Sequence, residues 1–360
     1  MTDSTRLAKV LKTPEVIALA FGAMIGWSWV LLTGVWLTAA GTIGTLIAFC
    51  VGGLAVTLIG LTYSELASAM PKAGGEHIYT ERALGSRWSF VCTWALLFSY
   101  VNVCMFEAVA LPSAVEYLFP DIRLGTLWNV LGSDVDLGFI LIGIGATALV
   151  TWVNYLGIRT AAILQAVVTG LIVITGVLLI SGAIAFGEAS NAQPWIATPV
   201  SGILIVLIMV PSMLIGFDVI PQSAEEIDLP PNKIGRLLIF SVACAVAWYI
   251  AIAMAVGFGL NADALATTKM ATADAASALW SSSWAGSLLV LGGIGGILTS
   301  WNAFIIGASR VLFALAESGH VPKVFAKLHP KYKTPYVGIL AIGALTMVAP
   351  LFGRTILVWL

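Results

Sequence analysis

Inside the long apolar runs of this chain, the residues able to do chemistry are few and they cluster. Gly22, Gly26 and Ser28 fall within seven positions of one run, in GAMIGWSW, and Pro211, Gly216, Asp218 and Pro221 fall within eleven of another, in VPSMLIGFDVIPQ. Glu107 lies in a third run, and Thr299 and Ser300 are adjacent hydroxyls in GGILTSWNAF. Pro and Gly cost a helix interior about 3 and about 1 kcal/mol, so the two clusters predict helices that unwind midway. An unwound turn offers about four unpaired N–H groups from one helix end and about four carbonyls from the other. The donors carry partial positive charge and suit a carboxylate; the acceptors suit an ammonium. Glycine lets a ligand touch bare backbone, and the pattern fits a zwitterionic amino acid or a small amine.

Each feature has a plainer reading. A small-xxx-small spacing such as Gly22 and Gly26 is also a helix-packing motif in membranes. An ionisable group at a membrane helix centre costs about 2.5 to 3.5 kcal/mol, so Asp218, just after the second break, is expected to meet a cation, carry a proton or accept hydrogen bonds from neighbouring helices. Glu107 is placed near the outer end of its run, within reach of water. Trp27, Trp29, Tyr100 and Phe217 are candidate pocket walls for a cationic head, Trp27 and Phe217 foremost because they adjoin the breaks. Thr299 and Ser300, with carbonyls from a broken helix, have the oxygens a sodium ion wants, or they bond back to the preceding turn.

The four cysteines, Cys50, Cys92, Cys104 and Cys244, all fall in apolar runs at spacings of no metal site, and read as free buried thiols. His77, His320 and His329 fall between the runs, in expected cytoplasmic loops. There is no metal cluster, nucleophilic triad or phosphate-binding loop, so neither an enzyme nor a cofactor is expected.

The elements that position these residues follow from composition. Of 360 residues 59% are hydrophobic and 10% charged, more apolar surface than a soluble domain hides, so the lipid bilayer is the expected solvent. A net charge of -1 argues against nucleic acid as a partner. With about 20 apolar residues needed to cross a bilayer, nine runs qualify: 16–40, 43–67, 88–112, 137–157, 161–186, 199–221, 236–259, 286–309 and 336–352. If the N-terminus is cytoplasmic, 14 of the 17 Lys and Arg, from Arg6 to Lys333, fall on the inner side, and only Arg123, Lys269 and Arg354 fall outside. A multi-pass protein of the cell membrane is expected.

Gly22 and Gly216 stand 194 positions apart with five spans from one broken helix to the next. An odd number of spans makes the second unit enter from the opposite side, the requirement of a five-plus-five inverted repeat. The halves are 1–190, with helices 1 to 5, and 191–360, with helices 6 to 9 and the start of a tenth. FGRTILVWL at the end reads as that tenth span cut short, the expectation being that the sequence is part of a longer frame.

At this point the chain resembles the amino acid, polyamine and organocation (APC) permeases, which share the LeuT-type fold. ALAFGAMIGWSW is similar to that family's glycine-rich first helix, and YSELASAMPKAGGEHIYTERALG, residues 63–85, to its inner loop after the second span. IGFDVIPQSAEEIDLPPNKIG, residues 215–235, resembles the sixth helix and its acidic exit, and ASRVLFALAESGHVPKVFAKLHPKYKTPYVGI the end of the eighth. The resemblance implies an all-α polytopic membrane protein and a substrate cradle from Ala23, Met24, Ile25, Gly26 and Ser28 on the first helix and Ser212, Ile215, Gly216 and Phe217 on the sixth, which Gly22, Trp27 and Asp218 join as candidates from the breaks themselves. It also implies a secondary transporter of amino acids working by alternating access, coupled to protons or sodium or running as an exchanger. Three departures stand out: Ser28 replaces the family's third glycine, Leu229-Pro230 replaces Asn-Pro, and the lysine that some proton-coupled members carry in the fifth helix is absent from 161–186. A polyamine or ethanolamine-type amine permease is the alternative, and a non-transporting membrane sensor or subunit the alternative from another class.

Overall fold

The computed structural model describes residues 7–122, 124–130 and 132–354, which are mostly helical. Arg6 and Arg123 of the charge argument, and 355–360 of the foreseen tenth span, lie outside the described residues. Each of the nine apolar runs holds helix. Among the described residues, six helices are long and apolar enough to cross a membrane: α3 (Thr33–Ala69), α5 (Ser86–Leu118), α6 (Leu137–Tyr155), α7 (Ile158–Phe186), α10 (Pro231–Gly259) and α13 (Ser283–Glu317). The remaining runs form shorter pieces: α1 (Thr13–Met24) and α2 (Ser28–Leu31) in the first, α8 (Ser201–Met213) and α9 (Val219–Gln222) in the sixth, α14 (Tyr336–Thr346) in the ninth.

The first and sixth runs are interrupted where glycine and proline cluster. Helix α1 opens with Pro14 in its first turn, where a missing N–H costs nothing, and Glu15 reaches back to the Lys12 N–H at 3.2 Å. It unwinds at Ile25, where ψ reaches 72°. The chain resumes as α2 and then α3, in which Gly41, at φ 76° and ψ 174°, marks the bend between the first span and the second. A side chain at Gly41 would strike the backbone of Pro194, Trp195 and Ala197 within 2.6–2.8 Å. The sixth run unwinds between α8 and α9, and Gly216 there has φ +120°, a region closed to most L side chains.

Helix α13 is the axis of the bundle, the most buried of the long helices, and packs on α1, α5 and α7. At the bundle's outer surface large apolar side chains stand exposed, among them Leu54, Leu58, Val167, Ile184 and Ile208. Such a surface is stable against lipid and not against water.

Several expectations need correction. The chain is not purely helical: β1 (Thr126–Val130) and β2 (Ser133–Asp136) pair antiparallel between α5 and α6. The segment after the second span holds a helix, α4 (Glu76–Leu84), and α11 (Ala262–Thr267) and α12 (Ala271–Leu279) fold between the seventh and eighth spans. His77 is a fully buried residue of α4 and not a loop histidine. All four cysteines are free, but only Cys104 is buried, while Cys50 and Cys92 face outward among the lipid-side apolar residues. Arg310, counted as an inner-side charge, lies within α13, one residue past the 286–309 run, and is fully buried.

The partner of Arg310 is Glu226, also fully buried. The guanidinium donates to both carboxylate oxygens at 2.7 and 2.8 Å, and to the Ser309 hydroxyl at 2.8 Å. The Glu226 carbonyl in turn accepts the Val10 and Leu11 N–H groups, each at 2.9 Å, and Asp228 N–H donates to the Leu11 carbonyl at 2.7 Å. The entry to α1 is thereby tied to the exit of the sixth span.

Candidate functional site

The two breaks lie against each other. A methyl placed on Gly216 would meet Ala23 at 2.7 Å from its Cβ and 2.9 Å from its carbonyl carbon. A methyl on Gly296 of α13 would come within 2.6 Å of the Gly26 carbonyl oxygen and 2.8 Å of that of Ile25. The unwound turn of the first span is therefore seated backbone-on-backbone over α13, as the bare Gly295-Gly296 surface permits.

Beside this junction is a cavity of about 560 Å³, within the range of small-molecule sites. Of the residues expected at the cradle, Ala23, Met24, Gly26, Trp27, Ser28, Ser212 and Ile215 line it. Gly22, Ile25, Gly216, Phe217 and Asp218 do not. Gly22 serves close packing: a methyl there would lie 2.5 Å from Gln165 Nε2, 2.8 Å from Thr169 Oγ1 and 3.0 Å from Thr299 Cβ. Phe217 packs edge-on to Tyr63 at 5.4 Å. Asp218 is turned away from the cavity, accepting the Tyr100 hydroxyl and the Gly216 N–H, the latter at 3.0 Å.

Glu107 is not near water at the end of its span. It is 2% exposed, lines the cavity, and has its Oε1 3.3 Å from where a side chain on Gly26 would begin. The Ser300 hydroxyl faces it and lies 3.5 Å from where a side chain on Gly26 would begin, so carboxyl and hydroxyl converge on the first break. Its Oε2 has no hydrogen-bond partner in the protein. Among the described residues no Lys or Arg lines the cavity, so its acidic end is free to receive a cation.

Thr299 bonds back to the Gly295 and Gly296 carbonyls, both at 3.1 Å, whereas Ser300 reaches the cavity. In WSW the three side chains diverge. Trp27 lines the cavity and lies over Gly293; Ser28 lines it and meets the Tyr249 hydroxyl at 3.0 Å; Trp29 is fully buried, edge-on to Trp248 at 5.6 Å. Neither Trp29 nor Tyr100 walls the cavity.

Residues not singled out in the sequence complete the wall. Phe98, Asn102 and Phe106 recur every four positions on α5, one face of a helix, and Phe304 joins them from α13. Tyr249 of α10 is fully buried, and its hydroxyl lies 2.8 Å from the Met24 carbonyl and 3.3 Å from that of Met213, the last residues of α1 and α8. Behind Gly22, Asn154 donates to Asn302, Asn302 to Gln165, and Gln165 to the Ala18 carbonyl, at 2.8, 2.7 and 3.3 Å. A lone amide or phenol inside an apolar run was the available signal for Asn102, Tyr249, Asn154, Gln165 and Asn302.

The family model for "Amino acid permease" matches residues 11–356. Among similar proteins, the branched-chain amino acid permease BcaP of Bacillus subtilis is 26% identical over 94% of this chain and 74% of its own length. The methylthioribose transporter of Bacillus subtilis is 26% identical over 95% and 76%. Cationic amino acid transporter 4 of Homo sapiens is 27% identical over 96% of this chain and 55% of its own length. A match running from the entry of the first helix past the ninth span makes this chain a member of the amino acid permease family, multi-pass membrane transporters and not enzymes.

Proposed function

We propose that this chain moves amino acids across the cell membrane by alternating access, binding the zwitterion in the cavity beside the two breaks. The observation that carries the reading is the convergence of Glu107 and Ser300 on Gly26, where bare backbone, a carboxyl with a free oxygen and a hydroxyl share one small space. The substrate ammonium sits between Glu107 and the carbonyls freed by the first break. Its carboxylate takes N–H groups at the start of α2, and its side chain lies against Phe98, Phe106 and Phe304. The remaining cradle candidates, Gly22, Ile25, Gly216, Phe217 and Asp218, act by shaping the breaks.

In this reading residues 1–190 and 191–360 are inverted repeats of a LeuT-type fold, the N-terminus is cytoplasmic, and the tie between residues 10–11 and 226–228 closes the inner side. The free oxygen of Glu107 favours a second substrate class, amines and cationic amino acids, whose charge it would hold. Thr299 and Ser300 as a sodium site receive less support, because the Thr299 hydroxyl is already spent on its own helix.

Uptake of labelled amino acids into proteoliposomes, competed by a carboxylate-free amine, tests the function and separates the two classes. Gly26→Leu would push its side chain into Glu107 and Ser300, and is expected to abolish both uptake and ligand-induced thermal stabilisation. If no amino acid or amine moves, or if Gly26→Leu leaves that stabilisation unchanged, the cradle is misplaced.

A further inference from the structure

Where α1 enters the bundle, a second pocket of about 380 Å³ shares no residue with the cradle. Lys9 and Lys12 line it from the segment before α1, Glu15 from the first turn of α1, Arg159 from the first turn of α7 and Asp228 from the exit of the sixth span. Ile163, one turn further along α7, lines it too. All three cationic side chains are exposed, and among the described residues none is in an ion pair. Of the two carboxylates, Glu15 is engaged with the Lys12 N–H at 3.2 Å. Three positive charges against two negative leave a surplus that suits one singly charged anion.

The depth of the pocket follows from α7. That helix has 29 residues and at 1.5 Å each is about 43 Å long, whereas the hydrocarbon core of a bilayer is about 30 Å thick. Its first turn, with Arg159, therefore stands in the headgroup layer. Arg159 and Ile163 are four positions apart and share a helix face. From Ile163 an exposed apolar ridge continues down that face through Val167, Leu171 and Ile174. Gly170 leaves a gap in the ridge, where an added methyl would meet nothing within 4 Å. A soluble anion would use the cations and ignore the ridge. A phospholipid uses both, and Ile163 belongs to both.

We propose that this pocket is a specific site for a glycerophospholipid with a single phosphodiester charge and a hydroxylated headgroup, phosphatidylglycerol being the simplest. Lys9, Lys12 and Arg159 hold the phosphate, the guanidinium as a fork and the ammoniums as point charges. The headgroup hydroxyls donate to Asp228, and one acyl chain lies along Ile163, Gly170 and Val167. A choline headgroup would instead bring a further positive charge beside the lysines and no donor for Asp228. Seated there, the lipid bridges the entry of α1 and the start of α7, whatever the cavity binds.

Native mass spectrometry of the full-length protein, released from micelles holding equal amounts of phosphatidylglycerol and phosphatidylcholine with identical chains, reads the site directly. The wild type is expected to retain one phosphatidylglycerol in preference to phosphatidylcholine. A basic residue beside an anionic lipid is worth about fivefold in binding, so Lys9→Gln/Lys12→Gln/Arg159→Gln should weaken that retention roughly a hundredfold. Lys9→Arg/Lys12→Arg/Arg159→Lys, which keeps the charges, should preserve it. Lys323→Gln/Lys327→Gln/Lys331→Gln removes as much charge from exposed residues outside the pocket and should leave it unchanged. Equal retention of the two lipids, or full retention in the triple glutamine variant of the pocket, overturns the proposal. Displacement of the lipid by millimolar inorganic phosphate or glycerophosphoglycerol overturns it as well, because the pocket would then be a site for soluble anions.

Discussion

Removing Arg310 tests whether a fully enclosed ion pair of the bundle is a structural keystone or an exchangeable filling. The guanidinium makes two charge-assisted hydrogen bonds to Glu226, at 2.7 and 2.8 Å, with both side chains essentially at zero exposure. Arg310→Met fills similar volume but leaves a carboxylate in an apolar interior, and breaking one side of such a pair costs about 3–5 kcal/mol. At about 1.4 kcal/mol per decade, that is roughly two to three and a half decades in the folding equilibrium. Arg310→Met/Glu226→Met removes both charges and is expected to recover most of the loss, since well-packed apolar replacements of buried pairs are often neutral. Equilibrium unfolding in mixed micelles supplies the stabilities of the wild type, both singles and the double. A local readout follows from the same geometry: the Glu226 carbonyl holds the Val10 and Leu11 N–H groups, so Arg310→Met should also speed tryptic cleavage after Lys9 and Lys12. If the single and double variants lose equal stability, stranded charge is not the cause and the reasoning fails.

Gly296→Ala puts a methyl 2.6 and 2.8 Å from the Gly26 and Ile25 carbonyl oxygens; overpacking of this kind costs about 1–3 kcal/mol, and displacing the first break should cost amino acid binding more than it costs stability, as ligand-induced thermal shifts alongside unfolding midpoints would reveal. His77, buried in α4 between Thr93, Ser89 and Ser318, has its pKa lowered by burial, against a smaller opposing pull from Glu81. Its neutral ring stabilises the fold above the ordinary histidine value of about 6.5, and that contribution is lost as pH falls through the lowered one, because the unfolded chain takes the proton first. Thermal unfolding of His77→Gln should therefore decline less on acidification than that of the wild type; parallel curves would contradict this.

The spans and their interruptions were legible because both signals are local. An apolar run of sufficient length has few other uses, and glycine with proline inside it has few other effects. What a run does not encode is which side of its helix meets which neighbour. Gly22 and Gly26 carry the same local signal, yet one packs on Gln165 and Thr169 while the other faces Glu107 and Ser300. Glu107, placed by its axial position near water, was sealed off by α1 and α13, which its own sequence cannot report. Arg310 was counted with the loop cations because a lone arginine at the end of an apolar run is ordinarily solvated; only the distant Glu226 makes its burial affordable. The β1–β2 hairpin and α4, α11 and α12 are short, lie between hydrophobic signals, and owe their form to the spans they join.

Tyr249 gives the bundle a property that neither break has alone. Its phenol carries a single proton, with the Met24 carbonyl at 2.8 Å and the Met213 carbonyl at 3.3 Å competing for it, while Ser28 stands opposite at 3.0 Å. A shift of a few tenths of an ångström in either broken helix transfers that proton's allegiance from one to the other. The two broken helices thus share one hydroxyl, and its bond to the end of α1 strengthens only as its bond to the end of α8 weakens.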